Sequence, residues 1–250
     1  MKKSTDVYLI LGTTQSGRRE ILWNLIEGVS GSGDGGKDII LIASDEIGNS
    51  AQERLQGLEN TEVLEWSFSG ERANIPGFEA SVGDRIFIVL SAKTDLIDQI
   101  EGLKYWLDSH PEFSLARVLS MIDCQVAYEK EDLLPWFEAV VYFSDHVFLT
   151  HRENVPEKWV SDFIKSFEKR CYPCTFEKIR NNKVSNPSRV LEPGARRISH
   201  IFDDLDAIDT LDLDEENLPE EPFELTKKVD LYLQRDDEGR RVIKLPSILD

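Results

Sequence analysis

Short apolar runs alternate with amphipathic stretches from Val7 to about Arg180. Several of the runs are continuously apolar, which is typical of strands that are covered on both faces of a sheet. We predict six strands from this pattern. They are Val7–Leu11, Ile39–Ala43, Val63–Trp66, Ile86–Leu90, Arg117–Ile122 and His146–Leu149.

Helical patterns lie between these strands. The last of them starts with a proline in its first turn and continues with apolar residues at helical spacing. The predicted helices are Arg18–Glu27, Leu96–Leu107, Lys130–Tyr142 and Pro156–Arg170. Alternating strands and helices predict an α/β fold of three layers, α/β/α, with a mostly parallel sheet wound through right-handed crossovers.

The character of the chain changes after Asn186. We therefore expect a first domain over residues 1–185 and an acidic C-terminal extension over residues 186–250. His200–Glu224 is rich in aspartate and glutamate but also carries spaced apolar residues. This pattern fits either an amphipathic segment that packs on the body or on a partner, or a disordered segment.

A turn signal follows the acidic stretch. Val229–Leu233 and Arg241–Leu245 flank the sequence Asp236-Asp237-Glu238-Gly239. Two apolar-containing runs around such a turn predict a β-hairpin near residues 229–245.

The charge and composition of the chain argue against some classes of binding partner. The chain has 47 acidic and 29 basic residues, which gives a formal net charge of -18. A field of this sign repels phosphate backbones and anionic lipid, so we expect neither nucleic acid nor a membrane surface as a partner. No apolar run is long enough for a membrane span, and no apolar signal region precedes the first strand. Together with only three cysteines, this favours a cytoplasmic protein.

The first strand leads directly into a glycine-bounded loop and then a helix. The loop is similar to the G-x-x-x-x-G-K-[ST] phosphate loop, in which amide groups and a helix N-terminus bind phosphate oxygens. Arg18 stands at the lysine position, and Arg19 stands at the Ser/Thr position without an oxygen for Mg²⁺. We interpret the segment as an anion cradle, the alternative being a strand–turn–helix corner without a ligand. Its residues are Gly12, Thr13, Thr14, Gln15, Ser16, Gly17, Arg18 and Arg19.

Five further phrases follow this loop in a fixed order. They are Asp45-Glu46-Ile47-Gly48, Val89-Leu90-Ser91-Ala92, Met121-Ile122-Asp123, Phe143-Ser144-Asp145 and Thr150-His151-Arg152-Glu153. In order and spacing, the chain resembles the CobW-type GTPases over about two thirds of its length. The resemblance implies a P-loop NTPase fold. It also implies GTP or GDP as the ligand, with the base read by the last phrase, at Thr150, His151 and Glu153.

Several residues depart from the family pattern where chemistry occurs. Val89 stands in place of an acid that works near Mg²⁺ and the γ-phosphate, and Ala92 replaces a glycine whose N–H meets the γ-phosphate. The region Glu65–Gly70 contains no cysteine, although the family carries its Cys-x-Cys-Cys metal motif there. A valine cannot bind or orient metal-bound water. Without these cysteines, the chain lacks the thiolate ligands that a metal-carrying role would use.

The base-reading phrase is altered as well. Thr150 and His151 replace the asparagine and the lysine of Asn-Lys-x-Asp. Glu153 keeps the carboxylate of the aspartate, but on a side chain that is one methylene longer. The loss of such paired polar contacts typically costs a few kcal/mol of specificity.

These departures favour a pseudo-GTPase, that is, a CobW-like domain that acts as a non-catalytic binding or regulatory module and docks to a protein partner. Homodimerisation also fits, because related P-loop domains often pair. Two alternatives stay open. One is a divergent GTP or ATP hydrolase that uses Arg18 for charge and Asp45, Glu46 or Asp123 as Mg²⁺ ligands; the other is a metal chaperone of the CobW type.

A single C-x-x-C occurs at Cys171 and Cys174. It follows a helix and precedes a predicted edge strand near Thr175–Ile179, whereas a redox pair usually lies at a helix N-terminus. We consider three roles for it: a structural one, half of a zinc site completed by Cys124 or a histidine, and a redox pair.

Overall fold

The computed structural model describes residues 4–30, 36–48, 50–70, 72–203 and 229–248. Its strands are β1 (Thr5–Gly12), β2 (Asp38–Ala43), β3 (Thr61–Ser69), β4 (Arg72–Asn74), β5 (Arg85–Val89), β6 (Phe113–Asp123), β7 (His146–Thr150) and β8 (Thr175–Lys178). Its helices are α1 (Arg18–Val29), α2 (Ser50–Gln56), α3 (Leu96–Ser109), α4 (Cys124–Glu129), α5 (Leu134–Tyr142), α6 (Glu157–Glu168) and α7 (Pro187–Leu191).

The strands form one sheet in the order β4-β3-β2-β5-β1-β6-β7-β8. Every neighbouring pair is parallel except β3 and β4. This arrangement confirms the predicted α/β fold with a mostly parallel sheet. All six predicted strands are present, and β8 lies at the edge, as predicted.

Both faces of the sheet are covered. Adjacent residues along β1, such as Leu9 and Ile10, point to opposite faces, and both are fully buried. On one face, Ile21, Leu22 and Leu25 of α1 pack in the same core as Ile10. The continuous apolar runs therefore reflect a central sheet with helices on either side.

The structure adds elements that the sequence pattern did not predict. They are β4, α2, α4 and α7. The predicted helix Lys130–Tyr142 starts later than expected, because Glu131–Leu133 forms a 3-10 turn before α5, which carries a proline in its first turn. The other three predicted helices are confirmed, with ends that differ by at most two residues.

The chain divides into two compact units, residues 1–198 with 245–250, and residues 199–244. In the first unit, α7 packs against α1, and Val190 and Leu191 of α7 belong to the core. Tyr8 donates a hydrogen bond to the carbonyl of Leu191. The buried Arg197 lies 3.1 Å from a carboxylate oxygen of Asp145. Residues 187–198 are therefore part of the first unit.

The second unit shows a turn in place of the predicted hairpin. Leu231–Leu233 forms a 3-10 helix rather than a strand, and the Asp230 side chain accepts a hydrogen bond from the Tyr232 amide at its start. The turn at Asp236–Gly239 is present, and Arg235 pairs with Arg241 in a single antiparallel bridge. Within residues 229–248, the structure thus shows a turn with a single antiparallel bridge and a 3-10 helix.

Two sequence features fall largely outside the described residues. Gly28–Lys37, a glycine-rich stretch between α1 and β2, is described only at its ends, and the acidic stretch His200–Glu224 is described only up to residue 203. Among the described helices, none has the length and apolar character to cross a membrane.

Candidate functional site

The glycine-bounded loop lies at the carboxyl end of the central strand. β1 pairs with β5 on one side and β6 on the other, and α1 begins right after the loop. Gly12 has φ +145° and Gly17 has φ +82°, values that favour glycine. A Cβ atom at Gly12 would lie 2.6 Å from Ser16 Oγ and 2.7 Å from the Met121 carbonyl oxygen. The predicted phosphate loop is therefore a tightly turned backbone in the expected place.

The loop is held by its own hydrogen bonds. The amide and the hydroxyl of Ser16 both donate to the carbonyl of Thr13, at 3.2 and 2.8 Å. Thr14 and Gln15 are exposed at the tip, whereas Ser16 is fully buried. A cavity of about 220 Å³ opens here, lined by Thr14, Gln15, Gly17, Arg18, Arg19 and Glu20.

Arg18, at the lysine position of the motif, turns its side chain into the protein. Only 3% of the residue is exposed. Its Nη1 donates to the carbonyl of Leu90, and its Nη2 lies 2.7 Å from Oε2 of Glu46. Its positive charge therefore meets a carboxylate of the same chain.

Glu46 is the centre of this network. It lies in the 3-10 turn Ser44–Glu46 at the end of β2, and its side chain is 2% exposed. Its Oε1 accepts the amide N–H of Ala92 at 2.5 Å, while Arg19 donates to its backbone carbonyl and lies 3.7 Å from Oε2. One buried carboxylate thus contacts both loop arginines and a backbone amide.

The two loop arginines differ in how completely their buried guanidinium groups are hydrogen-bonded. Burial lowers the pKa of both guanidinium groups, and the Glu46 carboxylate opposes this shift. An arginine stays charged at neutral pH under either influence. Within the described part of the chain, the buried Nη1 of Arg19 has no hydrogen-bond partner. The site therefore holds two cations, and the Glu46 carboxylate is the anion in direct contact with Arg18.

A second set of contacts joins the same two segments. The hydroxyl of Ser91 donates to Asp45 at 2.6 Å, and the Lys93 ammonium group donates to the Asp45 carbonyl. The Trp66 indole N–H donates to the Val89 carbonyl at 3.0 Å. The ends of β2, β3 and β5 are thus linked through side chains.

The predicted base-reading residues are dispersed. Thr150 is buried, and its hydroxyl contacts the carbonyl oxygens of Ser16 and Ile122. His151, with φ +46°, lies with Nδ1 2.7 Å from Asp123 Oδ2. Glu153 is exposed in the turn that follows. The structure brings Thr150 to the phosphate loop but leaves Glu153 in solvent.

The residues considered as substitute Mg²⁺ ligands are engaged elsewhere. Glu46 pairs with Arg18, Asp45 accepts from Ser91, and Asp123 contacts His151 while it caps α4. Across the described ranges, no group of three or more His, Cys, Asp or Glu side chains could hold a metal ion. In the structure, each of these three carboxylates thus contacts another group of the same chain.

The three cysteines are free thiols in different surroundings. Cys171 is exposed, whereas Cys124 and Cys174 are buried. Burial raises the pKa of the thiols of Cys124 and Cys174 to about 12 in each case. A thiol of this kind is a poor nucleophile and a poor metal ligand at neutral pH, which argues against the redox role of the C-x-x-C.

The fold and the loop at the end of its central strand define a P-loop α/β protein. No family model and no curated protein sequence matches the chain. Solved structures are similar to it, and two of them are of YjiA GTPase. They are the Zn(II)-bound YjiA GTPase from E. coli (TM-score 0.43, 14% identical) and a Zn(II)-bound triple mutant of YjiA GTPase (TM-score 0.44, 15% identical).

Each comparison covers 77% of this chain and 66% of the other, so this chain spans just under two thirds of the similar chains. Both of these structures are of a GTPase, and the similarity concerns the fold alone.

The sequence did not reveal the pairing of Glu46 with Arg18 or the contact of Glu46 with the Ala92 amide. The only available signal was a glutamate in the turn Ser44–Glu46 after the second strand, which we considered as a metal ligand. The two residues lie 28 positions apart.

Proposed function

We propose that this protein is a pseudo-GTPase, a P-loop-fold module that binds a partner or regulates it without turning over nucleotide. The observation that carries the proposal is the buried contact between Arg18 and Glu46, with Nη2 and Oε2 2.7 Å apart. In a working phosphate loop, the basic residue at this position binds the terminal phosphates. In this chain the residue at that position, Arg18, binds the carboxylate of Glu46.

The energetics support this proposal. A triphosphate that used Arg18 would have to separate a buried ion pair, and breaking such a pair typically costs about 3–5 kcal/mol. Arg19 offers no oxygen to Mg²⁺, and Val89 offers none on the neighbouring strand. Binding would therefore lose both the metal and the cation that normally stabilise the transferring phosphoryl group.

The remaining features fit a docking role. With a net charge of -18, a protein partner is favoured over nucleic acid or an anionic membrane. A cytoplasmic location and a homodimer are compatible parts of the same proposal. Light scattering of the purified protein tests the homodimer, which predicts twice the chain mass of 28.6 kDa.

Calorimetry tests the central proposal. GTP, ATP and GDP are titrated into the protein with and without Mg²⁺, and phosphate release is followed in parallel. We expect no binding tighter than about 1 mM, which corresponds to about -4 kcal/mol. An Arg18→Ala variant, purified in the same way, is the control for contaminating activity. Mg²⁺-dependent binding with turnover that Arg18→Ala abolishes would establish the hydrolase alternative.

Metal analysis of the same preparation tests the metal-chaperone alternative. We expect less than stoichiometric zinc, because Cys174 and Cys124 are buried thiols and the third-strand region lacks cysteine. Stoichiometric zinc that resists dialysis, and that is lost in a Cys171→Ser variant, would establish metal carriage instead.

A further inference from the structure

One buried carboxylate in this protein has more donors than a structural ion pair requires. The two oxygens of Glu46 are 2.7 Å from Arg18 Nη2 and 2.5 Å from the Ala92 amide nitrogen, with Arg19 at 3.7 Å. These donors come from the start of α1 and from the segment after β5. They converge on an anion from two sides.

We propose that the Glu46 carboxylate is the built-in anion of this phosphate loop, held in the position that a terminal phosphate would take. A phosphate loop recognises its ligand with the basic residue at its end and with backbone N–H groups. Arg18 and the Ala92 amide supply both kinds of donor to Glu46. The chain supplies both the cradle and its ligand.

The position of Glu46 in the sheet explains how it reaches the loop. β5 lies between β1 and β2, with Ile42 of β2 beside Val89 of β5. The turn Ser44–Glu46 extends past the end of β2, and the chain after β5 passes beside it. Ligands of open α/β sheets bind at the carboxyl ends of the strands, where the Glu46 carboxylate lies.

This contact fixes two segments relative to each other without a nucleotide. Glu46 joins the turn after β2 to Ala92. A second hydrogen bond, from the Ser91 hydroxyl to the Asp45 carboxylate at 2.6 Å, connects the same two segments. A bound γ-phosphate orders segments in switching NTPases, and its hydrolysis releases them. A carboxylate of the same chain keeps them ordered permanently.

Inorganic pyrophosphate binding tests the inference, which rests on the proposed function but is measured separately. The variants are Glu46→Ala and Glu46→Gln, and Glu168→Ala is the control because it removes the same charge from an exposed position on α6, outside the lining of the loop cavity. We expect the Glu46 variants to bind pyrophosphate at least about tenfold more tightly than the wild type, and Glu168→Ala to match the wild type. The double variant Glu46→Ala/Arg18→Ala loses the gain.

Equal pyrophosphate affinity in the wild type and both Glu46 variants would overturn the inference, and so would an equal gain in Glu168→Ala. Nucleotide turnover by the wild type would instead overturn the proposed function. Hydrogen exchange gives a second measurement, because Glu46→Ala frees the Ala92 amide whereas Glu46→Gln keeps an acceptor for it. We expect faster exchange at residue 92 in Glu46→Ala than in Glu46→Gln. If Glu46→Ala does not fold, the Gln variant carries the binding test.

Discussion

The hydroxyl oxygen of Thr150 lies 3.0 Å from the carbonyl oxygen of Ser16 and 3.1 Å from that of Ile122. Thr150 is the last residue of β7, and Ser16 belongs to the phosphate loop. A hydroxyl has a single proton, so it serves the two carbonyls in alternation. The first residue of the base-reading phrase therefore holds the loop against the sheet.

Replacing Thr150 with valine should destabilise the protein by about 1–2 kcal/mol, because two buried carbonyl groups lose their donor. Urea unfolding followed by tryptophan fluorescence measures the change. Thr14→Val is the matched control, since Thr14 is exposed at the loop tip, and it should change stability by less than about 0.5 kcal/mol. An equal effect of the two substitutions would contradict the role of Thr150.

The two loop glycines should differ sharply in their tolerance of alanine. At Gly12 a Cβ atom would meet the Met121 carbonyl at 2.7 Å, so Gly12→Ala should cost about 3 kcal/mol or more. At Gly17 the nearest atom is 3.5 Å away, and only the left-handed φ of +82° opposes alanine, at about 1–2 kcal/mol. Chemical unfolding of both variants measures the difference. Similar losses would show that the backbone at Gly12 is not closely packed.

The Asp145 carboxylate should be a major determinant of stability. It is fully buried, accepts the Val118 amide at 2.6 Å and pairs with Arg197 at 3.1 Å. Asp145→Asn leaves a buried guanidinium without its counter-charge, which should cost about 3–5 kcal/mol in urea unfolding. Glu138→Gln makes the same chemical change in an exposed pair with Arg170 and should cost less than about 1 kcal/mol.

One thiol in the native protein should react quickly with a disulfide reagent. Cys171 is exposed, whereas burial raises the thiol pKa of Cys124 and Cys174 to about 12. Near pH 8 such thiols contain almost no thiolate, which is the reactive form. Spectrophotometric titration should give one fast thiol in the native protein and three in denaturant. Cys171→Ser should remove the fast phase, and fast labelling that persists in this variant would contradict the assignment.

The fold was largely predictable because its strands are buried on both faces. Continuous apolar runs such as Ile39–Ala43 and Ile86–Leu90 can be recognised as buried strands from their own sequence, without knowledge of the strands that pair with them. β4 was not predicted because its three residues, Arg72–Asn74, contain only one apolar side chain and pair only with the end of β3. α2 was not predicted because its seven residues carry only two apolar side chains, Ala51 and Leu55, too few to show a helical period.

The site was only partly predictable. Loop shape follows from the spacing of Gly12 and Gly17, since few other sequences allow that turn. The direction of the Arg18 side chain does not follow from spacing. It depends on the Glu46 carboxylate, which lies in the turn after β2, and β2 is two strands away from β1 in the sheet. A motif records which residue stands at a position, whereas the partner of that residue is set by the order of the strands.

The covalent attachment of Glu46 has a thermodynamic consequence. A tethered group meets its binding site at an effective concentration that is typically in the millimolar range or above, whatever the amount of protein. Any dissolved anion that competes for Arg18 must overcome this local excess as well as the hydrogen bond to the Ala92 amide. Dilution, dialysis and phosphatases, which deplete a free ligand, leave this one in place.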